Sequence, residues 1–123
     1  RLVLGLEIEK SAIGDAERNC AVNNTDHCRF ILGDIRESLS SLKINPDVMV
    51  IDPPRAGMHK DVLAKVMELA TERLVYVSCN PATLARDLKA LVSSGYKVEE
   101  VQPVDMFPHT NHVENIVALG MSG

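Results

Sequence analysis

One cysteine stands at a position that suits a nucleophile. Cys79 comes directly before Asn80-Pro81, a pair typical of a helix start, with asparagine as the cap and proline in the first turn. The unpaired N–H groups and the positive dipole end of a helix N-terminus stabilise a thiolate, which is the nucleophilic form of cysteine. A small buried thiol is the alternative, and we assign that role to Cys20 and Cys28. The strand-to-helix junction favours a reactive Cys79.

Three acidic residues come at or just after the ends of predicted strands. Glu7 could accept hydrogen bonds from a ribose diol, and the alternative is a solvated side chain beside Glu9. Asp34 follows Gly33 and is either a binding residue, a turn residue or a helix cap. Asp52 precedes two prolines, which hold it in extended geometry and fix its direction. Simple turn chemistry is the alternative for Asp52.

Two neighbouring histidines, His109 and His112, raise the question of a metal site. No third and fourth ligand lies at a suitable spacing, so we expect no metal in this chain. Glu114 follows them near the start of a predicted strand. A carboxylate there is either a general base or an exposed edge residue.

Short apolar runs alternate with amphipathic stretches along the whole chain. They predict strands over 2–8, 28–32, 47–51, 74–77, 96–104 and 113–119. They also predict helices over 11–23, 35–42 and 60–70, and a fourth that begins at Asn80-Pro81 and ends at Gly95, with Ser11 capping the first. The alternation favours an α/β domain with a parallel or mostly parallel sheet. Ligands of such sheets bind beyond the carboxyl ends of the strands, where the three acids and Cys79 lie.

The composition is that of a single globular domain. The chain has 123 residues, 46% of them apolar and 24% charged, and no apolar run reaches the length of about 20 residues that a membrane helix needs. A net charge of −4 argues against nucleic-acid binding through bulk charge alone. Three cysteines without framework spacing indicate free thiols in a reducing compartment, so we expect a cytoplasmic protein. Because the sequence begins at Arg1, already inside an apolar run, we interpret the chain as a fragment of a longer parent.

Three motifs occur in one order: DPPRAG at 52–57, YVSCNP at 76–81 and FPHTNHVE at 107–114. Together they resemble the S-adenosylmethionine-dependent RNA uracil-5-methyltransferase family over essentially the whole chain, and most closely the branch that makes 5-methyluridine in 23S ribosomal RNA. The resemblance implies a Rossmann-like class I methyltransferase sheet with helices on both faces. Residues 1–123 would be part of the catalytic domain, with S-adenosylmethionine as cofactor and RNA as substrate.

The resemblance also implies a role for each candidate residue. Cys79 would be the nucleophile that adds to C6 of uracil, and Glu114 would be the base that removes the C5 proton. Glu7 would hold the ribose of the cofactor, and Asp34 would lie near its adenine. Asp52 would lie near the methionine end of the cofactor and the target base. A nucleophile and a separate base are both needed, because C5 becomes reactive only after addition at C6 and still carries its proton after methylation.

Several parts of the family pattern are missing from this sequence. The glycine-rich cofactor loop, the first strand and the N-terminal RNA-binding barrel are absent. An iron–sulfur cluster is compatible with the parent, but this chain would not ligate it. The missing strand lies between the first and third predicted strands of the family's sheet, so its absence would expose two unpaired edges. We therefore expect this chain alone to bind cofactor poorly, to be inactive, and either to associate through those edges or to be one part of a larger assembly.

Other functions stay open at this point. The tRNA T-loop enzyme belongs to the same family, and other Rossmann methyltransferases act on cytosine or on exocyclic amines. The cytosine enzymes use a second cysteine in the position of the DPPR motif, where this chain has none, and the amino-methyltransferases carry Tyr or Phe after the prolines. The alternative outside enzymes is an α/β interaction module in which Cys79 is structural. The oligomeric state is open as well.

Overall fold

The computed structural model describes residues 1–122, and these form two compact units that divide between Lys43 and Ile44. The first unit contains β1 (Val3–Glu7), α1 (Lys10–Val22), β2 (Cys28–Leu32) and α2 (Ile35–Ser41). The second contains β3 (Val48–Ile51), α3 (Lys60–Leu69), β4 (Arg73–Ser78), α4 (Pro81–Ser93), β5 (Tyr96–Val104) and β6 (Glu114–Met121). The predicted alternation of strands and helices is confirmed.

In the first unit, β1 and β2 form a parallel pair, with Val3 opposite Cys28 and Glu7 opposite Leu32. Parallel neighbours need a crossover connection, which α1 provides. The predicted cap of α1 is wrong, because the helix begins at Lys10 and its cap is Glu9 rather than Ser11. The turn is closed instead by Glu7, whose carboxylate accepts hydrogen bonds from the backbone N–H groups after β1.

In the second unit, the strand order is β3-β4-β6-β5. β3 and β4 are parallel, whereas β6 runs antiparallel to both of its neighbours. The sheet is therefore mixed rather than mostly parallel. The reason is local, since no helix separates β5 from β6, and consecutive strands joined by a loop pair in antiparallel fashion. The two unpaired edges that the resemblance implies are present, because in residues 1–122 β1 and β3 each have a single strand partner and lie in different sheets.

The core of the second unit lies on one face of its sheet. The strand residues Leu74, Tyr76, Val117 and Leu119 are at most 1% exposed, and α3 and α4 contribute buried aliphatic side chains. Alternation along β4 sends every second side chain to this face, as expected for a sheet covered on one side by helices. No helix within residues 1–122 has the length and apolar content needed to cross a membrane.

Candidate functional site

Cys79 lies in the short junction between β4, which ends at Ser78, and α4, which begins at Pro81. The Ser78 hydroxyl bridges this junction, since it donates to the Asn80 carbonyl at 3.0 Å and accepts from the Asn80 N–H at 3.1 Å. Asn80 caps α4, because its Oδ1 accepts from the Ala82 N–H at 3.0 Å. The predicted cap is confirmed, and the backbone on both sides of Cys79 is fixed.

Cys79 and Glu114 line one cavity of about 230 Å³ in the second unit, and Arg55, Phe107 and His112 complete its lining. Cys79 follows β4 and Glu114 is the first residue of β6, so the two groups come from neighbouring strands of one sheet. All five lining residues fall in the three sequence motifs. The fold thus brings a thiol and a carboxyl group to the same space, which is what a nucleophile acting with a separate base requires.

A hydrogen bond joins the first and third motifs across this cavity. Nη2 of Arg55 lies 2.6 Å from Nδ1 of His112. The Arg55 end of this pair is held by α4, because Asn80 Nδ2 and Thr83 Oγ1 each donate to the Arg55 carbonyl at 3.1 Å. The His112 end is held by a turn in which its N–H donates to Thr110 Oγ1 at 3.2 Å. Both partners therefore have fixed backbones.

A fully buried carboxylate, Asp87, fastens the DPPRAG loop to the core. Its Oδ2 accepts from the Met58 N–H at 2.8 Å and from the Tyr76 hydroxyl at 2.7 Å, and its Oδ1 accepts from Arg86 Nε at 2.8 Å. Burial, and after it the hydrogen bond to Asp87, raises the pKa of Tyr76, so the phenol stays a donor. Gly57 fits against this cluster with φ of +80°, and a Cβ there would lie 2.7 Å from Asp87 Oδ2.

Asp52 comes directly after β3, at the same end of the sheet as Cys79. Ile51 pairs with Tyr76 in parallel register, so the carboxyl ends of β3 and β4 lie side by side. Its side chain is exposed and is not among the residues that line the cavity. The structure therefore places it near the carboxyl ends of β3 and β4 without giving it a contact to either reactive group.

The other two acids lie in the first unit. Glu7 is half-buried at the end of β1, and its Oε1 accepts from the N–H groups of Ile8 at 2.7 Å and Glu9 at 2.9 Å. Asp34 caps α2 by accepting from the Arg36 N–H at 2.9 Å, and its carboxylate is also paired with the Arg36 guanidinium. Of the alternatives for Asp34, the helix cap is thus realised.

Sequence reasoning missed four residues that shape the site. Arg55, Phe107 and His112 lie inside the recognised motifs but were not assigned a role, and their position in those motifs was the available signal. Asp87 carried a different signal, because it lies between Leu84 and Leu91 on the buried side of α4. Among the described residues, no three His, Cys, Asp or Glu side chains are grouped as metal ligands would be.

Comparison with known proteins identifies a family that this chain matches. The model of the tRNA (uracil-5-)-methyltransferase family matches residues 32–121. An uncharacterised RNA methyltransferase of Bacteroides thetaiotaomicron is 51% identical over 97% of this chain, which corresponds to 27% of the relative. The chain therefore spans about a quarter of the length of the curated relatives it matches. All three cysteines are free thiols in the structure.

Solved structures give the same class of fold. The Pyrococcus abyssi tRNA (uracil-54, C5)-methyltransferase, solved with S-adenosyl-L-homocysteine, matches with a TM-score of 0.83 and 38% identity over 96% of this chain and 28% of its own. The Geobacter metallireducens precorrin-6y C5,15-methyltransferase matches with a TM-score of 0.77 at 18% identity, over 97% of this chain and 68% of its own, which shows the fold alone. The Rossmann-like class I methyltransferase fold is confirmed.

Proposed function

The chain belongs to the tRNA (uracil-5-)-methyltransferase family, and from that premise we propose that its parent protein transfers a methyl group to C5 of a uridine in RNA. The observation that carries the proposal is the cavity lined by both Cys79 and Glu114. A thiol and a carboxyl group at the ends of neighbouring strands match the two separate tasks of uracil C5 methylation, nucleophilic addition and proton removal.

The reaction begins with the thiolate of Cys79. Its sulfur adds to C6 of the uracil ring, and the C5=C6 electron pair moves toward the C4 carbonyl, which makes C5 nucleophilic. C5 then accepts the methyl group, and the adduct carries both a methyl group and the original proton at C5. The Glu114 carboxylate removes that proton, the C5=C6 double bond re-forms, and the thiolate leaves C6. The thiolate is restored at this point, and the enzyme is regenerated once Glu114 passes its proton to water.

The cofactor in this proposal is S-adenosylmethionine, which would supply the methyl group from its sulfonium and leave as the neutral thioether S-adenosylhomocysteine. The carboxylate of Glu7 fits a ribose hydroxyl, because one oxygen is already oriented by two backbone N–H groups at the end of a strand. We propose that Asp34 holds the turn beside the adenine through its capping bond, and that Asp52 faces the methionine end of the cofactor. The homocysteine form of this compound is bound in the Pyrococcus relative.

We propose a cytoplasmic RNA as the substrate, with 23S ribosomal RNA as the first candidate and the tRNA T-loop as the second. The overall resemblance favours the ribosomal branch, whereas the Pyrococcus relative is described as acting on uracil 54 of tRNA. Incubation of the full-length protein with labelled cofactor and separate 23S and tRNA transcripts distinguishes the two. Methylation of the tRNA alone would contradict the ribosomal assignment and leave the chemistry intact.

The mechanism is tested by trapping the covalent intermediate. The Cys79→Ala variant of the full-length protein should transfer no methyl group and form no adduct with RNA that contains 5-fluorouridine. The matched control is Cys20→Ala, which removes a half-buried thiol of the first unit and should leave the rate unchanged. An amino-methyltransferase would keep most of its activity without Cys79.

The role of Glu114 as the base is tested with RNA that contains unmodified uridine. The Glu114→Gln variant should form the adduct and then release it slowly, because the C5 proton stays in place. We expect turnover to fall by about 10²- to 10⁴-fold, the usual contribution of a general base. A covalent protein–RNA complex on unmodified RNA should therefore accumulate. A variant that turns over at the wild-type rate would exclude Glu114 as the base. Slow labelling of Cys79 by iodoacetamide at pH 7, in a full-length protein that transfers no methyl group, would favour the interaction-module alternative.

A further inference from the structure

The contact between Arg55 and His112 assigns different roles to the two nitrogens of the imidazole. Nη2 of Arg55 lies 2.6 Å from Nδ1 of His112. A guanidinium group has only donors and does not lose its proton in proteins, so Nδ1 must be the acceptor. A ring nitrogen that accepts carries no proton. In the tautomer that satisfies this contact, Nδ1 of His112 accepts and the ring proton lies on Nε2, which leaves Nε2–H as the remaining polar group.

His112 is half-buried and lines the same cavity as Cys79 and Glu114. A neutral imidazole suits a place beside the proposed base, because an imidazolium would pair with the Glu114 carboxylate and weaken it as a proton acceptor. The bond from Arg55 also draws electron density from the ring, which strengthens Nε2–H as a donor. The cavity is therefore lined by a thiol, a carboxyl group and an imidazole whose other nitrogen is held by Arg55.

Resting on the proposed function, we propose that His112 is a further catalytic residue that donates its Nε2–H to the C4 carbonyl oxygen of the uracil. Addition of the thiolate at C6 moves negative charge onto this oxygen, so a donor placed there is worth more in the transition state than in the ground state. His112 forms no covalent bond with the uracil and transfers no proton. Arg55 acts through it as a positioning residue.

Two amide substitutions separate the two nitrogens of the ring. His112→Asn keeps an acceptor at the place of Nδ1, so it retains the partner of Arg55 and loses the donor. His112→Gln extends an amide N–H to the place of Nε2 and gives up the bond to Arg55. The control is His109→Asn, which changes an exposed histidine of the same motif at φ +67°, a conformation that asparagine tolerates.

The measurement is the single-turnover rate of methyl transfer, and of adduct formation with 5-fluorouridine RNA, by the full-length protein. We expect both rates to fall by about 10²- to 10³-fold in His112→Asn, as after loss of one oxyanion donor. His112→Gln should lose clearly less and His109→Asn nothing. A wild-type rate in His112→Asn, or equal losses in the Asn and Gln variants with unchanged melting temperatures, would overturn the donor role.

A spectroscopic readout tests the same idea without turnover. In the full-length protein labelled with ¹⁵N-histidine, the signals that disappear in His112→Asn should report an unprotonated Nδ1 and a protonated Nε2 at neutral pH. The opposite tautomer or an imidazolium would overturn the inference. A wild-type protein that forms no adduct and transfers no methyl group would overturn the proposed function itself. Failure of the variants alone leaves that function standing.

Discussion

Replacement of Asp87 by alanine should destabilise the protein strongly, because it leaves buried donors without acceptors. Asp87 is fully buried and accepts from the Met58 N–H and the Tyr76 hydroxyl. A buried donor left unsatisfied costs about 1–3 kcal/mol, so these two together cost about 2–6 kcal/mol. The third partner, Arg86, keeps a side chain that is 57% exposed and adds little. The loss is a large part of the about 5–15 kcal/mol that stabilises a typical domain.

Asp87→Asn provides the matched comparison. Its side-chain oxygen can still accept from Met58 and Tyr76, and its amide then faces Arg86, whose side chain is 57% exposed and can turn toward solvent. We expect a loss of about 1–2 kcal/mol, which is the difference between a charged and a neutral acceptor. The assay is urea unfolding of the full-length wild type and both variants, monitored by circular dichroism. The free energies of unfolding are compared with one shared value for their dependence on urea concentration.

The same experiment tests what the cluster does for the site. Met58 closes the loop that carries Arg55, so the alanine variant should also lose the Arg55–His112 contact and methylate slowly even where it is fully folded. A free energy of unfolding within 1 kcal/mol of wild type would refute the reasoning, because it would mean that water or another acceptor satisfies both donors. Equal losses in the alanine and asparagine variants would refute the assignment of Asp87 as an acceptor for both.

Three further outcomes are expected. Gly57→Ala should lower both the free energy of unfolding and the rate of methylation. The backbone at this position has a φ of +80°, and the new Cβ would lie 2.7 Å from Asp87 Oδ2. A variant as stable in urea as the wild type would contradict this. The contribution of Tyr76 to stability should be constant below pH 10 and fall above it. Its pKa is raised from the ordinary value of 10.0, so above that pH the unfolded chain loses a proton that the folded chain keeps. Tyr76→Phe should therefore reduce the loss of stability in alkali. Calorimetric titration of residues 1–123 alone with S-adenosylmethionine should show weaker binding than the full-length protein, and tight binding would contradict the expectation that the missing glycine-rich loop is required.

Most elements of the fold could be predicted because each is encoded locally. The apolar runs around Val50 and Val75 became β3 and β4 in parallel register. The Asn80-Pro81 pair became the start of α4 as expected. The direction of β6 could not be read from its own residues, because strand direction depends on the connection before it and on partners distant in sequence. The start of α1 was missed because Glu7, and not the helix itself, closes the preceding turn.

The candidate site was predictable as a set of motifs and unpredictable as a set of contacts. Cys79 could be singled out from its junction, and Glu114 from the family resemblance. Nothing in the spacing shows that Arg55 meets His112, since 57 residues separate them. The contact depends on the sheet order, in which β3, before Arg55, and β6, after His112, lie on either side of β4. Asp87 escaped notice because the helical pattern assigns buried positions to Leu88 and Val92, of which Val92 is 49% exposed.

The helix that follows Cys79, α4, also determines where Arg55 and His112 lie. Its first turn supplies Asn80 and Thr83, which hold the carbonyl of Arg55, and its second supplies Asp87, which holds the end of the same loop. Arg55 in turn orients His112. A shift of α4 would therefore move Cys79 and the loop together and would preserve their relative geometry. Because Glu114 stands on β6, which pairs with β4 through Ser78 and Asn115, its carboxyl group is tied to the same strand end. The sheet therefore sets the distance between the Cys79 thiol and the Glu114 carboxyl group, while the helix sets the orientation of His112.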